Sequence, residues 1–175
     1  MRHFLANIAT YSIAIFLLAG AAVFAWVRSA QVTITTESAV LAQYRPEQGA
    51  PFRWQELGAG SYERNCMNCH LADGAGWDQY PGLGHTARLY TAEGGRDFVI
   101  DLHLYGLTSP RWRAPMPSMG HLQDVEMAAV INYVLSSFGN RQQVDDDSLL
   151  RPEDIAARRG LDLSPSDVNR RRPSR

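Results

Sequence analysis

Cys66-Met67-Asn68-Cys69-His70 is the stretch on which the reading of this chain turns. It contains the only two cysteines in 175 residues, three positions apart. That excludes a disulfide framework and a four-thiolate zinc or iron–sulfur site. A redox dithiol, half of a zinc site and the C-x-x-C-H signature of haem c attachment remain. A dithiol enzyme needs a βαβ setting, whereas the flanks here are glycine-rich and helical. Zinc needs two further ligands, and only the scattered His85, His103 and His121 are on offer. Haem attachment accounts for every residue type in the motif. Two thiols three positions apart on a helical turn can each form a thioether with one vinyl group. The histidine that follows is then carried beneath the iron. One covalent haem c is expected, attached through Cys66 and Cys69, with His70 as its proximal iron ligand.

A second axial ligand is sought downstream, in Arg111-Trp112-Arg113-Ala114-Pro115-Met116-Pro117-Ser118-Met119-Gly120. Two prolines bracket Met116, and each fixes φ and rules out a helix interior, so the loop is extended and stiff. A methionine is usually core filler. This one lies just before a well-marked helix, in a loop able to hold a thioether in place, so Met116 is preferred over Met119. Histidine–methionine ligation closes the sixth position and suits electron transfer rather than oxygen chemistry. Ligation by two histidines, using His103 or His121, is the weaker alternative, because a lone histidine near an amphipathic segment is more often packed or solvated.

The scaffold reads as all-α. Met127, Val130, Ile131, Val134, Leu135 and Phe138 recur at helical spacing as one apolar stripe. Asp124 and Glu126 suit the N-terminal turn of that helix and Gly139 its stop. A middle helix is expected over Arg96 to Tyr105, and a helix over Gln55 to Asn65 leads into the motif. Gly58 and Gly60 each cost that last helix about 1 kcal/mol relative to alanine. Close approach of another helix at Gly58 would offset this. Three short helices barely bury a core unaided, and a haem would supply the missing apolar surface.

From Phe4 to Val27 no residue is charged. Such a run is long enough for a bilayer-spanning helix, which needs about 20 apolar residues. Trp26 stands where an interfacial anchor belongs. A cleaved signal is the rival, but Arg28 occupies the first position of any Ala-x-Ala site ending at Ala30. The expectation is a single-pass anchor in a bacterial inner membrane, N-terminus cytoplasmic and haem domain periplasmic. A polar tether follows, punctuated by Pro46, Gly49 and Pro51. The run Val32 to Thr36 is open to a strand reading.

Net charge is −1, and all 17 basic residues are arginines. Nothing in that balance favours a nucleic-acid partner, and a ring of surface lysines is excluded. No nucleophile elbow, phosphate loop or carboxylate pair in a recognisable setting argues for an enzyme.

Taken together, GAGSYERNCMNCH, YPGLGH and PMPSMGHLQDVEMAAVINYVLSSFGN resemble class I cytochrome c, most closely the bacterial monohaem domains that accompany membrane oxidases and periplasmic dehydrogenases. The resemblance covers roughly residues 53–140 and implies three to four short helices around one haem. It implies Cys66 and Cys69 as the haem-linked residues, His70 and Met116 as iron ligands, and Pro81 as the loop proline whose carbonyl orients the His70 imidazole. It also implies contact of Gly58 and Tyr62 with the final helix near Tyr133, and weakly a place for Arg111, Trp112 and Arg113 beside the haem propionates. The expected organisation is an anchor over 1–30, a tether over 31–52, a cytochrome domain over 53–140 and a C-terminal extension over 141–175. That extension holds a short helix from Pro152 to Arg159 with Gly160 at its end, then the basic run Arg170-Arg171-Arg172. It resembles tails of cytochrome subunits in dehydrogenase complexes, and docking onto a partner is narrowly preferred over a solvated tail. The expected function is single-electron transfer in a respiratory chain, with a dehydrogenase or quinol-oxidising complex as donor and an oxidase or soluble cytochrome as acceptor. A free shuttle, and a sensor or peroxidase with an open sixth position, are the alternatives.

Overall fold

The computed structural model describes residues 15–28 and 39–174, and the chain divides into two compact units, Met1–Gln43 and Tyr44–Arg175. In the first, residues 15–28 are helical (α1), and Phe16, Leu18, Phe24 and Trp26 are exposed. The Arg28 guanidinium lies 5.4 Å from the centre of the Phe24 ring. A helical turn follows at residues 39–42.

Here the anchor expectation is corrected. Among the described residues no helix is long and apolar enough to cross a membrane. The fourteen helical residues of α1 rise about 21 Å, short of the ~30 Å hydrocarbon core. The expected span began at Phe4, but residues 4–14 lie outside the described residues, as does the Val32–Thr36 run. The inner-membrane, single-pass placement with a periplasmic haem domain therefore loses its support.

The second unit is built from helices, with no strand longer than an isolated bridge among the described residues. Its helices are α2 (Gln55–Asn65), α3 (Met67–His70), α4 (Thr86–Thr91), α5 (Gly95–Tyr105), α6 (Asp124–Ser136), α7 (Pro152–Ala156) and α8 (Pro165–Arg170). The helices expected over Gln55–Asn65 and Arg96–Tyr105 are present, the second starting one residue earlier. The short α4 has no counterpart in the sequence reading.

Helix α2 crosses α6 at Gly58, where an added Cβ would collide with the Ala129 carbonyl oxygen. One turn on, the Tyr62 ring packs 5.3 Å from Tyr133 and 5.1 Å from Phe138, centre to centre. Helix α6 is buried on more than its expected stripe, with Val125, Ala128, Ala129 and Asn132 also inaccessible. The reason is α7, which packs on a face that α2 leaves open.

Residues 141–174 fold back onto helices α4, α5 and α6 rather than standing apart. Leu150, Ile155 and Val168 are within 1% of complete burial and join the same core as Phe98 and Ile131. Arg158 chelates Asp101 through two hydrogen bonds of 2.6 and 2.7 Å, and Arg159 donates to Asp124 at 2.6 Å.

Candidate functional site

The thiol pair sits at the junction of α2 and α3. The Cys66 N–H closes the last turn of α2 on the Tyr62 carbonyl, and the N–H groups of Cys69 and His70 both donate to the Cys66 carbonyl. Leu71 then adopts φ 64°, which ends α3, and the Tyr62 hydroxyl caps its carbonyl at 2.7 Å. Burial, reinforced by the neighbouring Cys69, pushes the Cys66 thiol up to about 11. The Tyr62 phenol is raised as well, again chiefly by burial.

The His70 imidazole is oriented from behind. Its Nδ1 lies 2.8 Å from the Pro81 carbonyl oxygen, which can only accept, so Nδ1 carries the proton. Nε2 is thereby left with its lone pair available for a metal. The Pro81 loop comes this close because Gly76, at φ +69°, takes a turn where a Cβ would lie 2.5 Å from the Tyr80 oxygen and the Pro81 carbonyl carbon.

Met116 is held from the other direction. Leu107 and Met116 pair through two backbone hydrogen bonds of 2.9 Å. The Ser118 hydroxyl donates to the Leu104 carbonyl at 2.5 Å, and the Met119 N–H to the His103 carbonyl at 2.8 Å. The stiff proline-flanked loop is thus sewn along the C-terminal end of α5.

Between these two supports lies a cavity of about 870 Å³. Cys66, His70, Pro81, Met116, Arg111 and Trp112 all line it. Cys69 and Met119 do not, and Met119 packs against the hydrophobic core. Phe98, Val99, Leu102 and Val134 give the walls an apolar character. The volume is within the range of small-molecule and cofactor pockets, about 300–1,000 Å³. An imidazole with its outer nitrogen engaged, a thioether and an apolar wall suit a haem.

Two further residues line the cavity. His103, the weaker alternative ligand of the sequence reading, is half-buried there, and its Nδ1 lies 2.7 Å from the Val99 carbonyl. Burial pushes this imidazole down to about 4, so it is neutral at ordinary pH. Arg172 is the other, and nothing local in the run Arg170-Arg171-Arg172 distinguishes it.

Residues 55–138 match the family model for cytochrome c. Cytochrome c-552 of Thermus thermophilus is 32% identical over 122 residues, which are 65% of this chain and 92% of that protein. The chain belongs to the cytochrome c family. Membership brings covalently bound haem c with its iron, for which Cys66 and Cys69 provide the thioether sites, and it brings electron transfer as the function. This cytochrome is also 36% identical over 96 residues to a fructose dehydrogenase cytochrome subunit of Gluconobacter japonicus. That match spans 49% of the present chain and 19% of the relative.

Proposed function

We propose that this cytochrome holds its iron between His70 Nε2 and the Met116 sulfur and serves as the electron-transfer subunit of a larger oxidoreductase, passing electrons from a dehydrogenase towards a respiratory chain. When bound, the haem supplies the one-electron couple. The chain's own residues do the rest: Pro81 fixes the imidazole, the Leu107–Met116 pairing fixes the thioether, and the apolar wall excludes water.

The observation that carries the reading is that Cys66, His70 and Met116 line one cavity while Met119 lies outside it. A closed sixth position favours outer-sphere electron transfer over ligand binding or peroxidase chemistry. Similarity to the fructose dehydrogenase subunit supports a place within a complex.

Ferric-state spectra of the haem-loaded protein test the ligands. A low-spin methionine-ligated spectrum that is lost in Met116→Ala and kept in Met119→Ala is the expected result. The reverse pattern, or a high-spin parent that binds cyanide rapidly, defeats the ligand assignment. Isolation of the native protein in mild detergent tests the partnership: a free monomer without dehydrogenase or oxidase subunits argues against a stable subunit.

A further inference from the structure

The C-terminal segment does more than pack against the helices. Arg172, Pro173 and Ser174 form part of the wall of the haem cavity. The Arg172 guanidinium sits 5.1 Å from the centre of the Phe98 ring, and Phe98 is itself 1% exposed and lines the same cavity. The backbone that delivers this arginine is well anchored. Val168 of α8 is fully buried, Ser164 and Asp167 cap each other at its start, and Arg171 reaches the buried Asp101 at 3.5 Å. The charge is therefore built into the wall and does not dangle from a tail.

Among the described residues the charged lining of the cavity is one-sided: Arg88, Arg111 and Arg172 line it, and no aspartate or glutamate does. Arg88 and Arg111 are exposed, where water and salt screen their charge. Arg172 is half-buried against an aromatic face and is screened less. A guanidinium stays protonated at any pH the protein meets.

We propose that Arg172 is a positioning residue for charge, which the C-terminal strap seats in the haem cavity to raise the midpoint potential of this cytochrome. Loss of one electron from a haem held here to an external acceptor would add one positive charge to the cavity. A fixed positive charge in the low-dielectric wall opposes that gain and favours the reduced state. The inference rests on the cavity being the haem site, but it holds whichever residue is the sixth ligand.

Potentiometric titration of the haem-loaded full chain tests it, comparing the parent with Arg172→Met, Arg172→Lys and Ser174→Glu. The potential is expected to fall in Arg172→Met, which keeps most of the stem and loses the charge, and to stay near the parent in Arg172→Lys. Ser174→Glu places a carboxylate at an exposed edge of the same wall, where water and salt screen it, and is expected to lower the potential less than Arg172→Met does. An unchanged potential in a haem-loaded Arg172→Met protein overturns the inference, as does a lysine variant that shifts as far as the methionine one. Should Arg172→Met fail to fold, Arg172→Gln, which keeps a polar side chain without the charge, decides, and no shift there is fatal. A chain that gains no haem mass would instead defeat the cavity assignment itself, so the two failures are distinguishable.

Discussion

The side-chain amide of Asn132 and the backbone of Leu150 exchange two hydrogen bonds, each of 2.8 Å. Both residues are within 1% of complete burial. Asn132 thus satisfies the donor and the acceptor of a chain segment that enters the core outside any helix. Sheet or helix partners normally do this for buried backbone, and here one side chain on α6 replaces them.

Asn132→Leu keeps the branched shape at a larger volume and leaves the Leu150 N–H and carbonyl without partners. A buried unmade hydrogen bond costs about 1–3 kcal/mol, so the haem-loaded variant is expected to lose about 2–3 kcal/mol in chemical denaturation. A loss within error of zero would mean that water reaches Leu150 and that the C-terminal segment is not tightly seated.

Arg158 reads out the same docking through charge. It chelates Asp101, which is 1% exposed, and also pairs with the more exposed Asp97 at 2.5 Å. Arg158→Met leaves the buried Asp101 carboxylate with the longer 3.5 Å contact to Arg171 in place of two short hydrogen bonds, and is expected to cost about 3 kcal/mol. Adding Asp101→Asn removes the poorly compensated charge, so the double variant is expected to be more stable than the sum of the two single losses implies. Strict additivity would show that the two groups do not meet in solution.

These contacts explain what was legible in the sequence. The attachment motif and the bounds of α2 are local patterns: the cysteine spacing carries its own chemistry, and the helix runs from Gln55 to Asn65 as read. The apolar stripe on α6 is real, but its second buried face answers to α7, which no periodicity within α6 announces. Arg158 and Asp101 are 57 positions apart, so the docking of the C-terminal segment depends on a pairing that leaves no periodic trace. Arg172 enters the cavity by the same route. The N-terminal expectation went wrong differently. Hydropathy counted an uncharged run, whereas crossing a bilayer requires a helix of sufficient length, and the described helix covers residues 15–28 alone.

Gly58→Ala isolates the helix crossing. Alanine gains about 1 kcal/mol of helix propensity over glycine. Against that, its methyl would drive into the Ala129 carbonyl and come within 3.0 Å of Tyr133 Cβ, neither of which is a flexible side-chain end. Overpacking of this kind costs about 1–3 kcal/mol. The expected net outcome is destabilisation with weakened Tyr62–Tyr133 contact, read as a lower thermal midpoint and a changed near-ultraviolet circular dichroism. A stabilised variant would show that α2 and α6 stand farther apart.

His103 makes stability depend on acid. Burial holds the folded-state value near 4, although the bond to Val99 pulls the other way. In the unfolded chain the imidazole takes up its proton near the ordinary ~6.5. Between those values the unfolded state binds more protons, so stability falls as pH drops from about 6.5 through 4. At about 1.4 kcal/mol per unit, the loss amounts to as much as about 3 kcal/mol. His103→Gln can still donate to the Val99 carbonyl but does not titrate, so its denaturation midpoint should change less over this window than that of the parent. Parallel loss of stability in the two haem-loaded proteins would place the acid sensitivity elsewhere and leave His103 no titrating role in the cavity wall.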